Sequence, residues 1–95
     1  MLIAIDYDGT YTADPNLWLI FIEKAQAFGH KVICVTMRPD AEADSAVPAM
    51  DPRLLRAVHA TYFTAFKGKL AYLEQLGICP DIWIDDHPRR ILEDC

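Results

Sequence analysis

The sequence predicts an α/β domain built around a short parallel sheet. Apolar segments of strand length alternate with segments of helical length, which is typical of parallel strands joined by helical crossovers. The strand-like segments are nearly continuous in apolar residues, as expected for a sheet that is covered on both faces. Ninety-five residues, 53% of them hydrophobic, suffice for one such domain, so residues 1–95 are expected to fold as a single unit.

The first helix has the clearest boundaries in the sequence. Asp14 or Asn16 can cap its start, Pro15 suits its first turn, and Gly29 suits its end. The expected elements are, in order, strand 2–5, helix 15–28, strand 31–36, strand 58–64, helix 69–76, strand 82–84 and a final helical turn 88–93.

The stretch 39–52 is the least regular part of the chain. It is rich in Ala, Asp and Pro, and it is expected to hold at most one short helix. Pro48 and Pro52 are expected to interrupt anything longer, because proline lacks the N–H that a helix interior requires.

The first strand runs directly into Asp6-Tyr7-Asp8-Gly9-Thr10. Residues two apart in an extended chain share a face, so both carboxylates are expected to point the same way. Carboxylates that close repel each other unless a cation lies between them, and Mg²⁺ is a hard ion that prefers oxygen ligands. Gly9 permits a tight turn or the approach of an anion, and Thr10 can hydrogen-bond across the turn. The alternative is a plain strand-to-loop turn, in which these residue types are common.

Polar residues also follow the other predicted strands. In a parallel sheet the carboxyl ends of the strands meet at one edge, where ligands bind. These residues are Thr36 with the following Met37 and Arg38, then Thr64, and finally Asp85 and Asp86.

The order of these motifs resembles that of the haloacid dehalogenase superfamily of phosphotransferases. The resemblance covers essentially the whole chain and includes a lysine that opens a late helix. It implies a three-layer, Rossmann-like fold with a short parallel sheet in the order 3-2-1-4. No segment long enough for a cap domain separates the motifs, so the chain resembles an uncapped member of this family. The implied activity is that of a phosphomonoester hydrolase (phosphatase) with Mg²⁺ as cofactor.

The resemblance also assigns roles to individual residues. Asp6 is implied as the nucleophile, which forms an aspartyl-phosphate, and Asp8 as the general acid and base. Metal contacts are implied for Asp6, Asp8 and Asp86, with Asp85 in support. The residues implied in phosphate binding are Gly9, Thr10, Thr36, Met37, Arg38 and Lys69. Lys67 is an alternative to Lys69, although the apolar pattern of the helix starts beside Lys69.

The absence of a cap leaves the implied site open to bulky substrates. The resemblance therefore points to a phosphorylated substrate such as a nucleotide or a polynucleotide end, or to a homo-oligomer in which another subunit covers the site. Arg38, Arg89 and Arg90 follow strand ends and are candidates for a basic rim around such a site.

Composition excludes several other classes of function. A net charge of −5 and a pI near 4.9 argue against non-specific binding to duplex nucleic acid. The three cysteines include no CxxC pair, which favours reduced thiols in a cytoplasmic protein. The apolar segment 18–22 is too short to span a bilayer, so no membrane association is expected.

Two alternatives to an enzyme stay open at this stage. One is a receiver-like domain that accepts a phosphoryl group, although such folds carry the accepting aspartate after the third strand, where this chain has Thr64. The other is a catalytically weak module that retains the metal and phosphate pocket to bind a partner.

Overall fold

A computed structural model describes residues 1–39 and 49–95. The strands in these residues are β1 (Leu2–Ile5), β2 (Lys31–Thr36), β3 (Ala60–Phe63) and β4 (Ile82–Ile84). The helices are α1 (Pro15–Ala27), α2 (Pro52–Ala57), α3 (Lys69–Gln75) and α4 (Arg89–Leu92), and one 3₁₀ turn covers Tyr11–Ala13.

The four strands form one parallel sheet in the order β3-β2-β1-β4. Ile3 pairs with Val32 on one side and with Ile82 on the other, so β1 is central and β4 is an edge strand. The predicted α/β class, the parallel sheet and the strand order are thereby confirmed, and the topology is consistent with a Rossmann-like fold.

Helices cover both faces of this sheet. Alternation along β1 sends Ile3 and Ile5 to the face covered by α1 and α2, where Ile22 and Leu54 are fully buried. Ala4 points to the opposite face and packs in a second cluster with Leu73 of α3. This two-sided burial accounts for the nearly continuous apolar sequence of β2.

Helix α1 begins one residue after its cap. The Leu17 N–H donates to Asp14 Oδ1 at 3.3 Å, so Asp14 rather than Asn16 makes the capping bond. The helix ends at Ala27, one residue earlier than expected, and Gly29 follows in the left-handed region with φ +88°. No helix among the described residues is long and apolar enough to cross a bilayer.

The sequence analysis predicted no helix over 52–57, where the structure has α2, and no helix runs into Pro52 from the residues described before it. Pro52 begins α2 at the first helical position, where its missing N–H costs nothing, and Asp51 caps the helix by accepting from the Arg53 N–H at 2.9 Å. The predicted third strand is correspondingly shorter, because Val58 still bonds to Leu54 as the end of α2. Pro48 and the rest of 40–48 lie outside the described residues.

Candidate functional site

The loops after β1, β2 and β4 meet the start of α3 at the carboxyl edge of the sheet and enclose a cavity of about 180 Å³. Its wall contains seven of the ten residues that the sequence analysis assigned to catalysis, phosphate or metal binding, together with Arg90, a predicted rim residue, and His87. The lining residues are Asp6, Asp8, Thr36, Met37, Lys69, Asp85, Asp86, His87 and Arg90.

Asp6 lies at the bottom of this site. Its N–H donates to the Ile84 carbonyl at 2.9 Å, which fixes the backbone directly beyond β1. Its side chain is buried, and the residue is only 8% exposed. Oδ1 accepts from Lys69 Nζ at 2.8 Å and Oδ2 accepts from the Thr10 hydroxyl at 3.2 Å. These two contacts fix the orientation of the Asp6 carboxylate.

Lys69 joins two carboxylates inside the protein. It is the first residue of α3 and is 2% exposed, and its Nζ lies 2.8 Å from Asp6 Oδ1 and 2.6 Å from Asp85 Oδ2. The ammonium carries one more N–H than these two partners use, which leaves a donor for an anionic ligand. Lys67, the alternative lysine, is exposed and lies 4.0 Å from Asp94.

Asp86 and Thr10 close the site between the first and last strands. The Asp86 N–H donates to Thr10 Oγ1 at 2.9 Å, and that hydroxyl lies 3.0 Å from Asp86 Oδ1. The threonine hydroxyl is therefore directed to carboxylates, and the Gly9 N–H is directed to Thr12 Oγ1 at 2.9 Å. Thr10 thus organises the carboxylates, whereas the Gly9 N–H is used within the loop, and the assignment of both residues to phosphate binding stays a prediction.

Asp6, Asp85 and Asp86 form a cluster that suits a divalent cation. Each offers a carboxylate oxygen, and these oxygens lie within 4.8 Å of one another. With Lys69 as their neighbour, the three carboxylates retain excess negative charge when all are ionised, and oxygen ligands are those that Mg²⁺ prefers. Both Asp85 oxygens already accept hydrogen bonds, one from Lys69 and one from the His87 N–H at 2.9 Å. Both Asp6 oxygens also accept hydrogen bonds, from Lys69 and Thr10, so these contacts do not rank the three carboxylates as ligands. The assignment of metal contacts to Asp6 and Asp86, with Asp85 in support, stays a prediction.

Burial changes the protonation of this cluster. Loss of solvent raises the pKa of Asp6 to about 6, although Lys69 opposes the increase. Hydrogen bonding to Asp6 lowers the pKa of Asp86. The two carboxyl groups consequently titrate as a coupled pair that retains one proton more readily than isolated carboxyls would. A bound cation would displace that proton.

The pKa of Asp6 leads to a measurable pH dependence. Because its folded-state pKa of about 6 exceeds the ordinary aspartate value of 3.8, the native state binds this proton more tightly than the unfolded chain does. The contribution of Asp6 to stability is therefore fully present below about pH 4 and is lost as the pH rises through about 6. We expect the metal-free wild type to lose stability relative to Asp6→Asn over this range, as measured by urea unfolding at a series of pH values. A constant difference between the two proteins would contradict the raised pKa.

Asp8 differs from its expected orientation. Its carboxylate accepts two hydrogen bonds from Arg38, from Nε and Nη2, each at 2.7 Å, and the Arg38 guanidinium lies 5.0 Å from the centre of the Tyr7 ring. Strand alternation does not apply to Asp6 and Asp8, because β1 ends at Ile5 and a turn follows. Asp8 lines the cavity with Asp6 but lies outside the carboxylate cluster, so its role in metal binding stays a prediction.

The turn after β2 forms another wall of the cavity. Thr36 is buried, and its Oγ1 accepts from the Arg38 N–H at 3.3 Å. The Met37 carbonyl accepts from the Phe66 N–H at 2.8 Å, which ties this turn to the loop after β3. Thr36 and Met37 line the cavity directly, whereas Arg38 reaches the site through Asp8.

The sequence analysis missed a polar network that holds the first loop in place. Tyr7 and Tyr11 stack with ring centres 5.4 Å apart, and both hydroxyls contact Asp51. The Asp51 N–H donates to the Tyr7 hydroxyl at 2.8 Å, and the Tyr11 hydroxyl donates to Asp51 Oδ2 at 2.7 Å. The Asp-Pro pair before α2 is a helix-start signal that could have identified Asp51, but no sequence signal pairs it with tyrosines about forty residues away.

Gly9 allows a test of how closely the first loop approaches Asp86. Its φ is +82°, and an added Cβ would lie 2.8 Å from Asp86 Cγ. Gly9→Ala is expected to destabilise the fold by about 1–3 kcal/mol and to weaken Mg²⁺ binding, because Asp86 must move. Gly29→Ala is the matched control, since Gly29 has φ +88° with open space around it. Urea unfolding and Mg²⁺ titration of both variants would refute the close approach if their effects were equal.

Comparisons with known proteins found no relative of this chain. No protein-family model, curated protein or solved structure matches the chain. The chemistry available to the site follows from its own groups. These are a buried carboxylate held by a lysine, two further carboxylates beside it, and a fourth carboxylate paired with an arginine at the rim.

Proposed function

We propose that this chain is a Mg²⁺-dependent phosphomonoester hydrolase of the haloacid dehalogenase type, in which Asp6 is the nucleophile. The observation that carries the proposal is the contact between the buried Asp6 carboxylate and the Lys69 ammonium at the carboxyl edge of the sheet. A lysine in this place attracts a phosphoryl group to the carboxylate and offsets the charge on its oxygens. The sheet order is the one that the family resemblance implies.

Asp6 and Asp86 would hold the Mg²⁺ ion, with Asp85 orienting Lys69 beside them. When bound, the ion would offset the negative charge on the phosphoryl oxygens. The raised pKa of Asp6 supports this assignment, because a carboxyl group that is costly to ionise alone gains from a neighbouring cation.

The reaction has two steps, both at phosphorus. In the first, an Asp6 oxygen bonds to phosphorus while the bond from phosphorus to the ester oxygen breaks, and Asp8 gives its proton to the departing alkoxide. In the second, Asp8 takes a proton from water as the water oxygen attacks phosphorus, which releases phosphate and restores the Asp6 carboxylate. Dividing the hydrolysis in this way replaces one difficult displacement with two easier ones.

Asp8 must leave Arg38 to carry out these proton transfers. In the structure both Asp8 oxygens are bound by the guanidinium, and Arg38 is largely buried against Tyr7. A guanidinium binds phosphoryl oxygens with the same paired geometry that it uses for a carboxylate. An incoming phosphate therefore competes with Asp8 for Arg38, which agrees with the assignment of Arg38 to phosphate binding.

Phosphate release from an aryl phosphate tests the proposal directly. We expect turnover of para-nitrophenyl phosphate that requires Mg²⁺ and stops when EDTA is added. Acid-quenched protein should carry a hydroxylamine-sensitive phosphoryl group on the peptide that contains Asp6. Turnover that is equal with and without EDTA, or a label on another residue, would refute the mechanism.

The Asp8–Arg38 pair favours one second candidate, a metal-dependent phosphate-binding module. A carboxylate held by two 2.7 Å hydrogen bonds is poorly placed to transfer protons, although it leaves the metal cluster intact. Such a module would bind inorganic phosphate in the presence of Mg²⁺ but release none from any monoester. Asp8→Asn would then leave Mg²⁺ binding unchanged and remove the competitor of phosphate for Arg38, whereas in the enzyme this change stops turnover.

A further inference from the structure

A second and larger cavity of about 380 Å³ lies beside the carboxylate cluster. The start of α1 and the end of β4 form its walls, with Leu17, Trp18 and Ile84 as the large apolar side chains. Asp85 and Asp86 line this cavity and also the smaller one that contains Asp6, so the two cavities adjoin at that pair. We call the larger cavity the α1–β4 groove.

The groove and the smaller cavity differ in charge. The smaller cavity contains Lys69 and Arg90 beside its four carboxylates, whereas the described lining of the groove holds no lysine, arginine or histidine. The ionisable groups in the groove are all acidic, namely Asp14, Asp85 and Asp86. With Mg²⁺ held at Asp6 and Asp86 as proposed, an anionic group would be attracted to the smaller cavity, whereas the described lining of the groove offers it no cationic side chain.

The apolar walls favour an uncharged ligand. Leu17 is 52% exposed although it lies on the first turn of α1, and Trp18 beside it is only partly buried. A cavity of this volume with apolar walls and few polar groups is typical of sites that bind small organic molecules. A ring that contacts Leu17 and Trp18 would remove their exposed surface from water.

We propose that the α1–β4 groove binds the alcohol portion of the substrate, and that the substrate is a monophosphate ester of an uncharged aromatic alcohol. This inference rests on the proposed hydrolase function. The single phosphoryl group lies in the smaller cavity at Asp6 and Lys69, and the ring extends past Asp86 into the groove. The assignment disfavours polynucleotide ends and nucleoside polyphosphates, because each further phosphate adds negative charge beside the acidic wall.

Two non-hydrolysable phosphonates separate the groove from the phosphate site. Isothermal titration in the presence of Mg²⁺ should show benzylphosphonate binding about 10-fold or more tighter than methylphosphonate, because only the former carries a ring into the groove. Leu17→Gln should reduce this advantage about 3- to 5-fold. The matched control is Leu76→Gln, a leucine of equal exposure at the end of α3 outside the groove, which should leave the advantage intact.

The outcomes distinguish failure of this inference from failure of the proposed function. Equal affinity for the two phosphonates would overturn the groove assignment and leave the hydrolase proposal standing. Failure of both phosphonates to bind would overturn the phosphate site itself, and the groove assignment with it. ADP binding tighter than benzylphosphonate would overturn the substrate class.

A second copy of the chain is the competing occupant of the groove, and sedimentation distinguishes it from a substrate. If sedimentation detects a dimer that Leu17→Gln dissociates and Leu76→Gln does not, the groove is an interface between copies and the inference is wrong. A monomer at the concentrations of the titration, with the ring advantage lost only in Leu17→Gln, supports the groove as a substrate site.

Discussion

Asp6→Asn is expected to lower phosphate release by about three orders of magnitude or more, while the protein stays folded. An amide oxygen is a poor nucleophile, so the aspartyl-phosphate cannot form and only slow direct hydrolysis remains. The fold should tolerate the change, since Asn occupies nearly the same volume and the buried carboxylate is costly to ionise. Lys69 also keeps its contact with Asp85. Initial rates with para-nitrophenyl phosphate and thermal unfolding of the same samples provide the two measurements.

Asp8→Asn is the informative comparison for this variant. The para-nitrophenolate of this substrate is a good leaving group and needs little protonation, so Asp6 should still accept the phosphoryl group in Asp8→Asn. The second step lacks its base, and labelled phosphate should therefore accumulate on Asp6. If Asp6→Asn retained wild-type turnover, or if Asp8→Asn carried no label while binding Mg²⁺ normally, the assignment of nucleophile and base would have to be abandoned.

The parts of the fold that could be predicted are those set by local pattern. The apolar run of β2 and the interval of helical length before it follow from burial on both faces of a parallel sheet, and both were confirmed. The larger misses are α2, which was not predicted and which Pro52 begins, and Val58, which was assigned to the third strand. A proline can end one helix or begin the next, and only the Asp51 cap decides between these outcomes.

In the candidate site, too, the residues marked by local pattern could be predicted, and those placed by tertiary contacts could not. Asp6, Asp86 and Lys69 could be singled out because each occupies a strand end or a helix start, and the structure brings all three together. Arg38 could not be predicted as the partner of Asp8, because the two lie thirty residues apart in the sequence. A side chain beyond the end of a strand also no longer follows strand alternation. The Thr10–Asp86 contact joins residues 76 positions apart, and only the sheet order places them side by side.

Lys69→Met is expected to be the most destabilising single change in the site. The ammonium compensates Asp6 and Asp85 at 2.8 and 2.6 Å, and its side chain is 3% exposed. Methionine fills similar volume but leaves two carboxylates without their cation, a loss that costs about 3–5 kcal/mol in comparable buried pairs. For a domain of this size the thermal midpoint should fall by about 15 °C or more.

Lys67→Met is the control for that loss, because its side chain is 70% exposed and lies 4.0 Å from Asp94. We expect it to change stability by less than about 0.5 kcal/mol. Mg²⁺ should restore part of the stability of Lys69→Met, since a cation at Asp6 and Asp86 offsets the uncompensated charge, and the restoration should exceed the stabilisation of the wild type by the same ion. Similar midpoints for the two lysine variants without metal would mean that Lys69 does not compensate the buried carboxylates in solution. The proposed attraction of phosphate to Asp6 would then lose its basis, because the ammonium that carries it would not lie beside the nucleophile.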